Sequence, residues 1–151
     1  MKVVIGADHG GFDLKEKLKP YITQIGYTVT DVGASSDKPS DYPDFAALVS
    51  EKIMSKGADK GIVICGSGVG ACVAANKFPG IRASVCHDTY SAHQGVEHDD
   101  MNVLCLGARI VGENLAKDIV KSFLEAQFAS EVDRYQRRLK KVLDIEKKYS
   151  K

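Results

Sequence analysis

Residues Lys60-Gly61-Ile62-Val63-Ile64-Cys65-Gly66-Ser67-Gly68-Val69-Gly70 decide the architecture of this chain. Ile62, Val63 and Ile64 form an unbroken apolar run, the pattern of a strand covered on both faces in a parallel sheet. Three glycines in the five positions after Cys65 let the backbone come close to a ligand. The alanine-rich stretch Ala71 to Lys77 predicts the helix that follows. Strand, glycine loop and helix start together make an anion cradle, because unpaired N–H groups and the helix dipole both favour negative charge. A thiol at its mouth lies in a field that favours the thiolate. The stretch therefore predicts a reactive group beside an oxyanion or phosphate site.

Outward from this stretch the pattern alternates. Lys2 to Ala7 reads as a first buried strand, and Phe12, Leu14, Leu18, Ile22 and Ile25 have near-helical spacing up to Gly26. Pro20 falls inside that helix and is expected to kink or loosen it. Tyr27 to Val32 reads as a second strand, followed by a polar loop from Gly33 to Asp41. Phe45, Leu48, Val49 and Ile53 mark a helix ending near Gly57, and Ile81 to Cys86 reads as a fourth strand. A polar segment carrying His87, His93 and His98 leads to a fifth strand, Asn102 to Leu106. Leu115, Ile119, Phe123 and Leu124 make a helix after Gly112, and Leu139, Val142 and Leu143 mark a last, basic one. This alternation predicts right-handed βαβ units in an α/β fold, a three-layer αβα sandwich around a five-stranded parallel Rossmann-like sheet. With no internal repeat or linker, residues 1–151 read as one domain with a helical tail from about 130 to 151.

Composition bounds the function. A chain of 151 residues with 44% hydrophobic and 27% charged residues is globular, not disordered. No run approaches a transmembrane span, and Met1 to Gly11 holds no apolar segment of signal-peptide length. Cys65, Cys72, Cys86 and Cys105 lack CxxC spacing, which suits reduced thiols in the cytoplasm better than a disulfide framework or a zinc site. A net charge of +1 argues against a dedicated nucleic-acid surface. From Ser130 to Lys151, however, eight Lys/Arg face four Asp/Glu, so the tail carries +4 and the rest of the chain −3. Such a tail is either a solvated helix face or part of a site for an anionic substrate.

Ligands of parallel sheets bind outside the carboxyl ends of the strands. Those ends carry Asp8-His9-Gly10-Gly11, Cys65-Gly66-Ser67-Gly68 and Gly107-Ala108-Arg109, which point polar chemistry at one edge. The loop is not a P-loop, since Cys72 and Val73 occupy the Lys-Ser/Thr positions, and not a Cys-x5-Arg phosphatase loop, since Ala71 occupies the arginine position. A dinucleotide site, with Asp88 as the ribose-binding acid, is the weaker alternative because the spacing is GxGxG and not GxGxxG. Cys65 reads as functional from its place at the strand end, whereas Cys72, Cys86 and Cys105 read as core. His9 reads as functional, and His87 and His93 as ordinary surface or partly buried residues. No histidine has a spacing that requires a metal. His98, just before the fifth strand, is within reach of the same edge. Arg134 and Arg138, four apart on a helix, face one way, as a phosphate clamp or as a solvated face.

Several segments in register resemble the type B ribose-5-phosphate isomerases. They are Asp8-His9-Gly10-Gly11, Asp41-Tyr42-Pro43-Asp44-Phe45, Ile64 to Gly70, Ala74-Ala75-Asn76-Lys77, Gly80-Ile81-Arg82-Ala83, Tyr90-Ser91-Ala92, Asn102-Val103-Leu104 and Gly107 to Gly112. The resemblance spans nearly the whole chain. It implies an aldose–ketose isomerase of the pentose phosphate pathway without a cofactor, acting on ribose 5-phosphate through an enediolate. Relatives in the same superfamily isomerise allose or galactose 6-phosphate. The resemblance makes Cys65 the base between C1 and C2 and His98 the proton donor for ring opening. It gives sugar and enediolate contacts to Asp8, His9, Asp99 and the loop Gly66, Ser67, Gly68, Val69 and Gly70. It gives the phosphate to Arg109, Arg134 and Arg138, with part of the site supplied by a second subunit of a homodimer or a dimer of dimers.

Three positions depart from the family pattern: Ser67 where many members have Thr, Asp99 where Asn is frequent, and Tyr135 with Arg137 in the Arg-His-x-x-Arg segment. These put the choice between pentose and hexose phosphate in question. The competing class is a module that senses a phosphosugar or dinucleotide without catalysis, which has no use for a thiol at the loop mouth.

Overall fold

A computed structural model describes residues 1–150. Five strands, β1 (Lys2–Ala7), β2 (Thr28–Asp31), β3 (Lys60–Cys65), β4 (Ala83–Val85) and β5 (Val103–Gly107), form one sheet in the order β2-β1-β3-β5-β4. Every pairing is parallel. The crossovers are helices α1 (Phe12–Gln24), α2 (Tyr42–Met54), α3 (Val69–Ala75) and α4 (Thr89–Asp99), and α5 (Glu113–Glu125) and α6 (Asp133–Tyr149) follow β5.

Alternation along each strand sorts the core into two layers. Val3, Ile5, Ile62, Ile64, Leu104 and Leu106 join Leu18 of α1, Val96 of α4 and Ile119 and Phe123 of α5 on one face. Val4, Val63, Cys65, Val103 and Cys105 join Ala46 and Val49 of α2 and Ala71 and Ala75 of α3 on the other. The unbroken apolar run of β3 is thus needed on both sides, as expected for the predicted three-layer sandwich.

Two local readings change. The helix over Pro20 runs without a break to Gln24. Pro20 and Glu16, one turn earlier, are both exposed, so the carbonyl deprived of a donor lies on the outer side of the helix. The polar segment before the fifth strand is mostly helix, α4. Only Ala92 and Val96 are buried along it, too narrow an apolar stripe for periodicity to reveal. Its start is fixed by Asp88, whose carboxylate accepts the Ser91 N–H at 2.6 Å. Asp88 is therefore a helix cap, and the ribose-binding role weighed for it falls away.

One buried charge ties α1 to the sheet. Lys15 is 1% exposed, with its ammonium 2.6 Å from Asp31 and 3.2 Å from Glu16. Partial burial pushes the Asp31 carboxyl up, but hydrogen bonds from Lys15, Lys19 and the Gly33 amide outweigh it and hold the carboxyl below its ordinary 3.8. Asp31→Asn should cost about 3 kcal/mol in urea unfolding, because it leaves a buried ammonium short of its main partner. The carboxylate's contribution is complete above pH 3.8 and lost as pH falls through the lower folded value, so wild type and variant should converge in acid. A cost below about 0.5 kcal/mol would show that Glu16 alone neutralises Lys15.

Candidate active site

From β1 the chain turns to β2 on one side, and from β3 it crosses to β4 on the other. The crevice at the carboxyl ends of β1 and β3 is therefore a topological switch point, where open α/β sheets bind ligands. A cleft of about 300 Å3 lies there, lined by Asp8, Tyr42, Cys65, Gly66, Ser67, Gly70, Arg109 and Ile110.

Cys65 closes β3 opposite Gly107 of β5 and is 4% exposed. Its sulfur accepts the Gly68 N–H at 3.1 Å. Gly68 reaches that position in the left-handed region, φ 81°, which a side chain would strain. The loops after β3 and β5 are laced together: Ala108 N–H donates to Cys65 O at 2.9 Å, and Arg109 N–H to Gly66 O at 3.0 Å. Gly107 permits this approach, since a Cβ there would lie 2.6 Å from the Ser67 carbonyl. Ser67 Oγ accepts the Val69 N–H at 3.2 Å, while the Val69 side chain points outward and is 56% exposed.

Asp8 is buried at the end of β1, and its Oδ1 accepts the Gly11 N–H at 3.2 Å. His9 anchors the loop between β2 and α2. Its Nδ1 lies 3.1 Å from both the amide and the carbonyl of Ser40, and its own N–H donates to Ser40 Oγ at 3.0 Å. That loop leads to Tyr42, a cleft residue given no role in the sequence reading. Its ring packs over Gly70, where a Cβ would come within 2.5 Å. His87 also had no assigned role. It follows β4, and its Nε2 accepts the Gly107 N–H at 3.0 Å, which fixes the turn carrying Arg109. The signal for it was its position one residue past the fourth predicted strand, at the same sheet edge.

The remaining predicted residues form a second cluster. His98 sits in the last turn of α4, which returns the chain to the start of β5, whereas Cys65 ends β3. With all strands parallel, these are opposite edges of the sheet, so within one chain His98 does not reach the edge that carries Cys65. Its ring stacks on Tyr135 at 4.1 Å between centroids, and its Nδ1 is 2.9 Å from Gln94 Nε2. Arg134 lies over the same tyrosine, 4.6 Å from its centroid, and donates to its hydroxyl at 3.2 Å. Arg138 follows one turn later and is exposed, as are Arg137 and Asp99. Asp99 lines a separate groove of about 660 Å3 between the start of β4 and α6. The cleft at Cys65 thus offers one cation, Arg109, against one carboxylate, Asp8.

Residues 3–142 match the family model described as Ribose/Galactose Isomerase. The chain is 44% identical to ribose-5-phosphate isomerase B of Escherichia coli over 147 residues, 97% of each chain. Among solved structures, ribose-5-phosphate isomerase B of Clostridium thermocellum superposes with a TM-score of 0.95 at 48% identity, over 99% of this chain and 100% of that one. The enzyme from Mycoplasma genitalium with bound ribulose-5-phosphate superposes with a TM-score of 0.90 at 40% identity, over 97% and 96% of the two chains.

Proposed function

The chain belongs to the ribose/galactose isomerase family and is an aldose–ketose isomerase, and we propose that it interconverts ribose 5-phosphate and ribulose 5-phosphate. The observation that carries this reading is the Cys65 sulfur at the switch point, held by the Gly68 N–H within a cleft lined by the glycine loop and Arg109.

Cys65 thiolate takes the C2 proton of the open-chain aldose. The C–H electrons form the C1–C2 double bond and the carbonyl oxygen becomes the enediolate oxygen. The thiol then returns the proton to C1 as the O2 proton passes to O1. Of the loop amides, that of Gly68 donates to Cys65 and that of Val69 to Ser67 Oγ, which leaves the N–H groups of Gly66, Ser67 and Gly70 for the developing oxyanion, each worth about 3–4 kcal/mol when preorganised. His98 protonates the ring oxygen to open the sugar. Its Nδ1 is engaged with Gln94, so Nε2, which lies 3.6 Å from Glu97 Oε1, is the nitrogen that carries the donated proton. Asp8, His9 and Asp99 contact the sugar, and Arg109, Arg134 and Arg138 hold the phosphate, fixing the reacting carbons against the thiolate.

The two residue clusters, at opposite edges of one sheet, support a homodimer in which each site takes Cys65 from one subunit and His98, Arg134 and Arg138 from its partner. In this reading residues 1–151 act as one isomerase domain whose tail serves the neighbouring site. The exposed Ile110 beside the cleft and Val142, Ile145 and Tyr149 on α6 supply apolar surface for such an assembly. Its four free cysteines suit a reducing cytoplasm, and no helix among the described residues is long and apolar enough to cross a membrane.

The test is a substrate panel of ribose 5-phosphate, allose 6-phosphate and galactose 6-phosphate. The pentose should show the highest kcat/KM by about 10²-fold, an effect of the size expected when a site built for one chain length must seat another. Preference for either hexose would move the assignment to the 6-phosphohexose isomerases of the same family. No turnover of any of the three would overturn the pentose assignment.

A further inference from the structure

Tyr135 stands where many family members carry histidine, and none of the chemical steps uses it. It lies in the first turn of α6 and is 8% exposed, the only buried residue of that helix among the described residues. Its ring is thus the point at which α6 is inserted into the body of the protein. At the far end of the helix, Glu146 Oε1 accepts the Gly80 N–H at 2.9 Å and holds it a second time. A ring so enclosed meets neighbouring side chains and not a ligand.

Two residues of the isomerase reading rest on this ring. The His98 imidazole stacks on its face, with centroids 4.1 Å apart and planes 24° from parallel. Gln94 meets His98 Nδ1 at 2.9 Å, so the imidazole is held by its face and by one edge. The His98 side chain is 28% exposed, and without these two supports it would be free to change rotamer. Arg134 uses the ring twice. Its guanidinium carbon lies 4.6 Å from the centroid, and its Nη2 donates to the phenol oxygen at 3.2 Å. A guanidinium already laid on an aromatic plane loses less freedom when it takes up an anion, because its fork is oriented beforehand. The ring plane therefore serves both neighbours, and the hydroxyl serves Arg134 alone.

We propose that Tyr135 is a positioning residue that fixes the ring-opening acid His98 and the phosphate ligand Arg134 in one stack. Within the isomerase reading, on which this rests, both residues complete the cleft of the neighbouring subunit. The acid must lie against the ring oxygen while the arginine holds the phosphate at the end of the same sugar. One ring that carries both sets the distance between them. A misplacement of about 1 Å at such a contact can cost about 10²-fold in turnover. An aliphatic side chain would occupy the space of the ring, but it has no flat face for the imidazole and no acceptor for the guanidinium.

The test compares Tyr135→Phe and Tyr135→Leu with the wild type on ribose 5-phosphate. Phenylalanine keeps the ring and removes the hydroxyl, so kcat should stay within about twofold while KM rises about three- to tenfold. Leucine removes both, so kcat should fall as well, by about ten- to a hundredfold. In a His98→Asn background the leucine substitution should lower kcat no further, and in an Arg134→Ala background the phenylalanine substitution should raise KM no further. Proton NMR gives a readout that needs no turnover. The His98 ring protons, assigned by their loss in His98→Asn, should be shifted upfield by the stacked ring in wild type and Tyr135→Phe, and move downfield in Tyr135→Leu. Circular dichroism and native mass spectrometry on each variant report that fold and assembly are retained. Wild-type kcat in Tyr135→Leu, an equal kcat loss in Tyr135→Phe, or a full further loss on top of His98→Asn would each overturn the proposal. So would His98 protons that do not respond to Tyr135→Leu. A wild type inactive on ribose 5-phosphate is a different result, which would remove the isomerase assignment and this proposal with it.

Discussion

Cys65→Ala should lower kcat for ribose 5-phosphate isomerisation about 10³-fold while KM stays within a few-fold of wild type. The thiolate is asked to act only in the transition state, on the proton between C1 and C2. Binding of the phosphate is assigned to arginines that this substitution does not touch. The side chain is 4% exposed and small, so truncation removes the sulfur and one accepted hydrogen bond from Gly68 without opening a large cavity. Iodoacetamide gives an independent reading. In a Cys72→Ser background, alkylation should abolish turnover at the rate at which Cys65 is labelled, and bound ribulose 5-phosphate should slow both together. An alanine variant that turns over near the wild-type rate would remove Cys65 from the role of base.

Mixing two inactive proteins should restore activity. Cys65→Ala damages the cleft at the end of β3, and Arg138→Ala damages α6, at the other end of the one-chain geometry. In a dimer with sites shared across a two-fold axis, a mixed pair holds one doubly damaged site and one intact site. Random reassembly makes half the dimers mixed, so about a quarter of all sites should recover. Exchange can be followed by native mass spectrometry of one tagged and one untagged protein. If mixed dimers form and activity does not return, the two residues serve the same site or Arg138 is an ordinary surface charge.

The strands and their parallel arrangement were legible because each central strand is apolar on both faces. Ile62 to Ile64 and Val3 to Ile5 carry that information without help from neighbours. Helices α1, α2, α5 and α6 announced themselves by spacing, whereas α4 buries only Ala92 and Val96 and reads in the sequence only as a polar segment. Cys65 was legible as a site residue because a thiol before three glycines is a local pattern.

His87 and Tyr42 were not legible as parts of the site. A single histidine after a strand and a tyrosine before a proline have no local signature. Their roles come from Gly107 and Gly70, which are distant in sequence and brought close by the sheet.

By itself, then, the sequence determined the α/β class, the five parallel strands and the edge that carries Asp8, Cys65 and Arg109. Apolar periodicity and glycine spacing are local properties of the chain. Only the tertiary structure decided that His98 and Arg134 gather around Tyr135 at the opposite edge. That separation depends on the direction in which α4 returns the chain to β5, and strand direction exists only once the sheet is assembled.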